Sequence, residues 1–120
     1  MNRTVRAFAA LLLAAAAPLA AAHAFLDRAS PRVGSTVHVS PPRVTLRFTG
    51  HLEAAFSTIR VTDKDGREVD RHDKQLDPSD ASVLRVSLPP LPPGKYRVQW
   101  RVLSADTHVT EGDYTFTLAP

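Results

Sequence analysis

The sequence contains no cysteine, and its single methionine is Met1. Without cysteine the chain has no disulfide framework, no thiolate site for zinc or an iron–sulfur cluster, and no cysteine nucleophile. The net charge is also small, because 15 Lys and Arg residues are balanced by 12 Asp and Glu residues. This excess of positive charge is too small to indicate nucleic-acid binding. At 120 residues the chain suffices for one ordinary domain and is too short for a multidomain enzyme.

Long apolar runs are scarce too, and the longest, at residues 7–17, lies near the amino terminus. It is shorter than the about 20 residues that a membrane-spanning helix requires. Two arginines precede it and small alanines follow it, which is the pattern of a secretory signal peptide and disfavours a retained anchor. We therefore predict a signal peptide at residues 1–22 and a mature domain at residues 23–120, exported and without a membrane span after cleavage.

The cleavage site decides which residue begins the mature chain. A cut after Ala22 obeys the small-x-small rule and makes His23 the new amino terminus. A cut after Ala24 obeys the same rule and removes His23. With the first cut the two arginines of the signal peptide are lost and the domain keeps a net charge of only +1, so its charge indicates no particular partner.

Apolar and polar residues alternate with a period of two from residue 36 onward, which indicates strands with one buried and one wet face. The predicted strands are residues 36–39, 43–49, 58–62, 84–88, 95–102 and 113–118. Between strands, Asp63-Lys64-Asp65-Gly66 predicts a tight turn with Gly66 at positive φ, and the polar residues 70–81 predict a surface loop. We expect an all-β fold, an antiparallel Ig-like β-sandwich or Greek-key barrel of about seven strands.

Histidine is the residue type with the most ligand potential here, and two of the five histidines stand out. If His23 begins the mature chain, its α-amine and its imidazole Nδ1 can close a chelate ring on one metal ion. Asp106 and His108 follow the longest strand and, in extended backbone, would point to the same side. One amine, two imidazoles and a carboxylate form a nitrogen-rich set that suits Cu(II), which heads the divalent affinity order.

A simpler interpretation of the histidines stays open. An Asp-x-His pair is common by chance, and a histidine beside a cleavage site does not show that the two segments meet. His38 and His72 are predicted to be solvated surface residues, and His51 is either a surface or a site residue. A structural or adhesive sandwich with incidental histidines is therefore an alternative, in which Tyr96 and Trp100 belong to the core as they do in the copper-binding interpretation.

Several segments resemble the CopC-like periplasmic copper-binding proteins, a copper resistance family. They are His23-Ala24-Phe25-Leu26, Leu46-Arg47-Phe48-Thr49 and the stretch GKYRVQWRVLSADTH that runs to His108, closed by Gly112. The resemblance covers essentially all of residues 23–120. It implies a small β-sandwich that holds one Cu(II) ion through the amine and imidazole of His23 together with Asp106 and His108.

The chain also departs from the family pattern. Some members carry a methionine-rich Cu(I) site, but the only methionine here leaves with the signal peptide, so we expect no Cu(I) methionine site. Relatives often have a glutamate after the first long strand, where this chain has Gly50-His51. His51 or Glu53 is then a candidate for the outer shell of the site. Relatives often have proline after the site histidine, where this chain has Val109.

The expected function is that of a periplasmic, monomeric copper carrier or buffer, not an enzyme, which exchanges Cu(II) with a membrane copper transporter or another acceptor. Export fits this role because Cu(II) persists outside the reducing cytosol. An enzymatic alternative is a histidine-brace copper monooxygenase, since two histidines on one copper also resemble the lytic polysaccharide monooxygenases. The short domain leaves little room for an extended substrate surface, and Asp106 would occupy a position that oxygen chemistry needs open.

Overall fold

The computed structural model describes residues 23–120, so the predicted signal peptide lies outside the described residues. The strands are β1 Leu26–Ser30, β2 Thr36–Val37, β3 Arg43–Phe48, β4 Thr58–Thr62, β5 Gln75–Asp77, β6 Asp80–Ser87, β7 Gly94–Leu103 and β8 Val109–Leu118. One turn of 3-10 helix, Ala54–Phe56, lies between β3 and β4. In this part of the chain no helix has the length and apolar character needed to cross a membrane.

The strands form two four-stranded sheets that pack face to face. Their orders are β1-β3-β6-β5 in the first sheet and β2-β8-β7-β4 in the second. Neighbouring strands are antiparallel except β2, which pairs in parallel with β8. The longest ladder joins β7 and β8 from Gly94↔Leu118 to Leu103↔Val109. The predicted all-β antiparallel sandwich is confirmed, with eight strands rather than about seven.

The core lies between the two sheets and is built from the apolar half of each alternating strand. Its fully buried members include Val44, Leu46, Val61, Leu84, Val86, Val98, Val102 and Phe116. Tyr96 is buried with them, and Trp100 is half-buried at the border of the core. Gly112 lies opposite Trp100 in the ladder, and a β-carbon there would come within 2.6 Å of the indole. A larger residue at this position would therefore push the indole out of place.

Some local predictions were wrong. Residues 70–81 are not all loop, because Gln75–Asp77 pairs with β6 and β6 already begins at Asp80. Val39 is 80% exposed and lies beyond β2, which ends at Val37 before two prolines prevent further pairing. The tight turn is confirmed, with Gly66 at φ 81°.

Three segments meet where β7 ends and β8 begins. Residues 104–108 connect these two strands, and Ser104 forms a β-bridge with Leu52 in the loop after β3. The backbone N–H of Ala105 donates to the carbonyl of His51 at 2.9 Å. The start of the described chain reaches the same place through Phe25, whose carbonyl accepts the Thr49 N–H at 2.8 Å. We call residues 23–25, 49–57 and 104–108 together the loop end of the sandwich.

Candidate metal centre

The backbone of the first described residues is held by the hydroxyl groups of Thr49 and Thr110. Thr49 Oγ1 donates to the carbonyl of His23 at 3.1 Å and accepts the N–H of Phe25 at 2.9 Å. Thr110 Oγ1 donates to the carbonyl of Ala24 at 2.6 Å, and Ala24 itself is fully buried. These contacts hold the backbone of His23 in one position without using its side chain.

Residues 104–108 form a tight turn and not the extended segment expected from the sequence. The N–H of Ser104 donates to the carbonyl of His108 at 2.9 Å, and the N–H of Thr107 donates to the carbonyl of Ser104 at 2.9 Å. Thr107 has a left-handed φ of 70°, which non-glycine residues seldom adopt. The side chains of Asp106 and His108 still meet, because the turn wraps one toward the other.

A hydrogen-bonded group of side chains fills this turn. Ser104 is only 2% exposed, and its hydroxyl contacts Asp106 Oδ1. Asp106 Oδ2 lies 3.0 Å from Nδ1 of His108. The Ser104 hydrogen bond lowers the pKa of Asp106 most, and the hydrogen bond and charge of His108 lower it further, against an opposing effect of burial. Asp106 is therefore ionised at neutral pH and available as an acceptor.

The structure brings His23 and His108 together across the loop end. Their ring centroids lie 4.2 Å apart at an interplanar angle of 37°, and the ring of Phe25 lies 5.7 Å from that of His23. The His108 side chain is 52% exposed, so the pair is open to solvent. Asp106 contacts His108 on its Nδ1 side, and within residues 23–120 the three residues do not place one ligand atom each within 4.8 Å of one another.

The loop before the 3-10 turn carries His51 and Glu53, the two candidates for the outer shell. His51 accepts a hydrogen bond from Ala105 through its carbonyl, and the Glu53 N–H donates to the carbonyl of Leu103 at 2.9 Å. Both side chains are exposed. Backbone groups of the two residues thus align this loop with the turn, and a role for their side chains stays a prediction.

Sequence reasoning missed a second group of possible ligands, Glu68, Asp70 and His72, whose ligand atoms lie within 4.8 Å of one another. His72 Nδ1 is 2.9 Å from Glu68 and 3.7 Å from Asp70. The Asp70 side chain is fully buried, and its oxygens accept the backbone N–H groups of Val61 at 2.8 Å and of His72 at 2.9 Å. The Asp-x-His spacing of residues 70–72 was visible in the sequence, but both oxygens of Asp70 serve the backbone.

A family model and two solved structures match this chain, and all three point to one family. The family model described as the CopC domain matches residues 26–119. The crystal structure of CopC from Methylosinus trichosporium OB3b superposes with a TM-score of 0.77 and 40% sequence identity, covering 82% of this chain and 95% of that one. The crystal structure of PcoC, a methionine rich copper resistance protein from Escherichia coli, gives a TM-score of 0.69 and 32% identity, covering 82% and 100%.

A longer relative also contains a similar segment. Copper transport protein CutJ of Bacillus subtilis (strain 168) is 30% identical over 98 residues. The match covers 81% of this chain but 18% of CutJ. A segment similar to this chain is thus one part of a much larger protein that carries a copper transport name.

Proposed function

The chain belongs to the CopC family of copper resistance proteins, and on that premise we propose that it is an exported carrier or buffer for Cu(II). In this proposal residues 1–22 are a signal peptide and residues 23–120 the mature periplasmic domain. Cleavage after Ala22 creates the amine that, with the imidazole of His23, begins the copper site. His108 supplies the next nitrogen, with Asp106 beside it.

The observation that carries this proposal is the pairing of His23 with His108. The two residues come from opposite ends of the described sequence, and their ring centroids lie 4.2 Å apart. Hydrogen bonds from Thr49 and Thr110 fix the segment that bears His23, and the tight turn fixes His108. An ion held between the rings would remain accessible, as a carrier requires, because His108 is about half exposed.

The donor set supports Cu(II) over Cu(I). Residues 23–120 contain neither cysteine nor methionine, so their possible ligands are nitrogen and oxygen atoms. Soft thiolate and thioether ligands select Cu(I), whereas imidazole and amine nitrogens suit Cu(II). In this respect the chain differs from PcoC, a methionine rich copper resistance protein. We therefore propose one Cu(II) ion per chain and no Cu(I) methionine site.

A membrane copper transporter is the partner we propose. Support comes from CutJ, in which a similar segment lies within a longer copper transport protein. A carrier that hands copper to such a protein needs an exposed ligand that the acceptor can replace, and His108 meets that requirement. The proposed form in solution is a monomer.

The α-amine of His23 gives the sharpest test of this proposal. Cu(II) is titrated, against a competing chelator, into the protein that begins at His23 and into the same protein carrying a six-residue Gly/Ser extension. The extension keeps the imidazole and converts the amine into an amide, so we expect affinity to fall by about 100-fold or more. Intact mass establishes where each chain begins. Equal affinities for the two proteins would refute the proposed site.

A further inference from the structure

β1 forms one edge of the first sheet, and basic residues surround it. In the described chain its only strand neighbour is β3, so the outer side of its backbone is not paired in a ladder. We propose that this edge binds an acidic, extended segment of a partner protein, which adds as a strand beside β1. Residues 27–33 form the proposed surface, and we call them the basic edge. They lie outside the loop end.

The regular part of β1 is short and has a clear start and end. Its register with β3 shifts between Leu26 and Arg28, where Asp27 is the extra residue of a β-bulge. The strand ends at Ser30, and Pro31 has no N–H to donate beyond it. Three residues in regular register therefore remain to pair with an added strand. Such pairing is called β-augmentation, in which main-chain hydrogen bonds supply affinity and side chains supply specificity.

Charge is distributed unevenly along the chain, and β1 lies in a basic part of it. Residues 26–49 contain four arginines and one carboxylate, that of Asp27. Residues 50–80, which include β5 at the opposite edge of the first sheet, contain eight carboxylates and five Lys or Arg residues. The small net charge of the domain thus conceals two regions of opposite sign, and β1 belongs to the positive one.

Arg28 is placed to bind a carboxylate from outside the chain. It lies opposite Arg47 in the ladder, so the two side chains share a face of the sheet, where like charges repel. Arg47 forms an ion pair with Asp80 at 3.2 Å, whereas Arg28 and Arg32 are exposed and form no ion pair within residues 23–120. A guanidinium binds a carboxylate through two parallel hydrogen bonds, so an acidic partner would also relieve the repulsion.

Two hollows adjoin the basic edge, and both are lined by Arg28 and Ala29. The larger has a volume of about 520 Å³, and its other lining residues are Asp27, Arg32 and Val33. The smaller, of about 190 Å³, extends across the sheet to β3. Val33 is 62% exposed and offers an apolar contact beside the arginines. Side chains of an added strand would therefore find both space and charge next to β1.

The chemistry of the edge favours an acidic protein segment over two other occupants. A second copy of β1 would bring further arginines beside Arg28, and like charges on an edge strand oppose such pairing. A membrane surface would call for several exposed apolar side chains, but in the described chain Val33 is the one large exposed apolar residue between residues 26 and 37. An extended acidic segment satisfies the backbone and the arginines together.

Peptide binding to the metal-free mature protein tests the proposal. The probe is the capped peptide Ac-(Thr-Glu)4-NH2, followed by amide chemical shifts in NMR, and the largest shifts are expected at residues 27–34. Ac-(Thr-Gln)4-NH2 keeps the backbone and removes the charge, so we expect it to bind at least about 10-fold more weakly. A third peptide, with proline at the two central threonines, should lose a similar factor because it lacks backbone donors. Shifts centred elsewhere, no binding, or equal binding of the proline peptide would overturn the proposal.

A pair of charge-reversal variants separates local contact from net charge. Arg28→Glu removes the repulsion opposite Arg47, so it should fold, and it should weaken binding of the acidic peptide by about 10-fold or more. Arg67→Glu is the matched control, since Arg67 is exposed in the turn after β4 and undergoes the same change of charge. We expect it to change affinity by less than about twofold. Equal losses in the two variants would overturn the proposed surface.

Two further measurements address the other occupants. Sedimentation of the protein alone should show a monomer, and a dimer that depends on Arg28 would overturn the proposal in favour of a second copy. Cosedimentation with vesicles of phosphatidylglycerol and phosphatidylcholine should be unaffected by Arg28→Glu, and vesicle binding that depends on Arg28 would overturn it in favour of a membrane. No readout involves copper, so the result is independent of the Cu(II) titration above.

Discussion

The chain contains two Asp-x-His segments, residues 70–72 and 106–108, and they differ in what their carboxylates contact. Both segments include a non-glycine residue at positive φ, His72 at 57° and Thr107 at 70°. In both, a carboxylate oxygen lies near Nδ1 of the histidine, at 3.7 Å in the first and 3.0 Å in the second. Spacing and local backbone alone do not tell the two segments apart.

The contacts of the two aspartate side chains distinguish the two segments. The Asp70 side chain is fully buried and accepts two backbone N–H groups, so it completes the edge of β4. The Asp106 side chain is 31% exposed, and its partners are the side chains of Ser104 and His108. A carboxylate that serves the backbone stabilises the fold, whereas one that serves a side chain can orient that side chain for a ligand. The comparison therefore predicts different losses when each segment is altered.

The largest expected difference is in copper affinity. His108→Ala removes a proposed ligand and should weaken Cu(II) binding by about two to three orders of magnitude, or about 3–4 kcal/mol. His72→Ala is the matched control and should change affinity by less than about twofold, because His72 pairs with Glu68 on the surface. Competition titration with Cu(II) measures both variants. Similar losses in the two would remove the distinction between the segments.

The next effect is on stability, and here the larger loss is expected in the segment of residues 70–72. Asp70→Ala leaves the N–H groups of Val61 and His72 without their acceptor, which should lower the free energy of unfolding by about 2–3 kcal/mol. The folded variant should bind Cu(II) as the unaltered protein does. Asp65→Ala, at an exposed ion pair, should cost less than about 1 kcal/mol. Urea unfolding measures both, and equal costs would show that burial of Asp70 contributes nothing.

The smallest effect concerns Asp80, a partly exposed counterpart of Asp70. The hydroxyl of Ser82, followed by its backbone N–H, lowers the pKa of Asp80 below its ordinary value of 3.8. A carboxyl with a lower pKa in the folded state stabilises the protein above its unfolded pKa, and this contribution is lost as pH falls through the folded pKa. Asp80→Asn should therefore weaken the fold slightly at neutral pH and flatten the acid decline below about pH 4. Urea midpoints measured across this range would contradict the assignment if the two curves stayed parallel.

The sequence predicted the central strands well, and also β4 at an edge of the second sheet, but it missed both edge strands of the first sheet. Residues of β7 and β8 alternate strongly because one face meets the core and the other meets water. β1 and β5 lie at the two edges of the first sheet, and neither was predicted. Leu26–Ser30 has no fully buried residue and Gln75–Asp77 is only three residues long, so neither produces an alternation that stands out from a loop.

For the candidate site, the sequence supplied residue types but not geometry. His23, Asp106 and His108 were identified from chemistry and resemblance. The left-handed conformation of Thr107 was not, because threonine carries no signal for it. The role of Asp70 was equally hidden, since its acceptance of the Val61 N–H depends on a neighbouring strand edge and not on the residues beside it.

Burial of Ala24 also bears on the order of events in maturation. A processing protease needs the residues around its cleavage site exposed and extended, and Ala24, the second residue after the proposed cut, is enclosed by the folded sandwich. If the chain is cut after Ala22 as proposed, the cut would have to come before this segment docks. A precursor that folds first would protect its own signal junction and keep an amide at His23. Under that proposal processing competes with folding, and slower folding would favour the form with a free amine at His23.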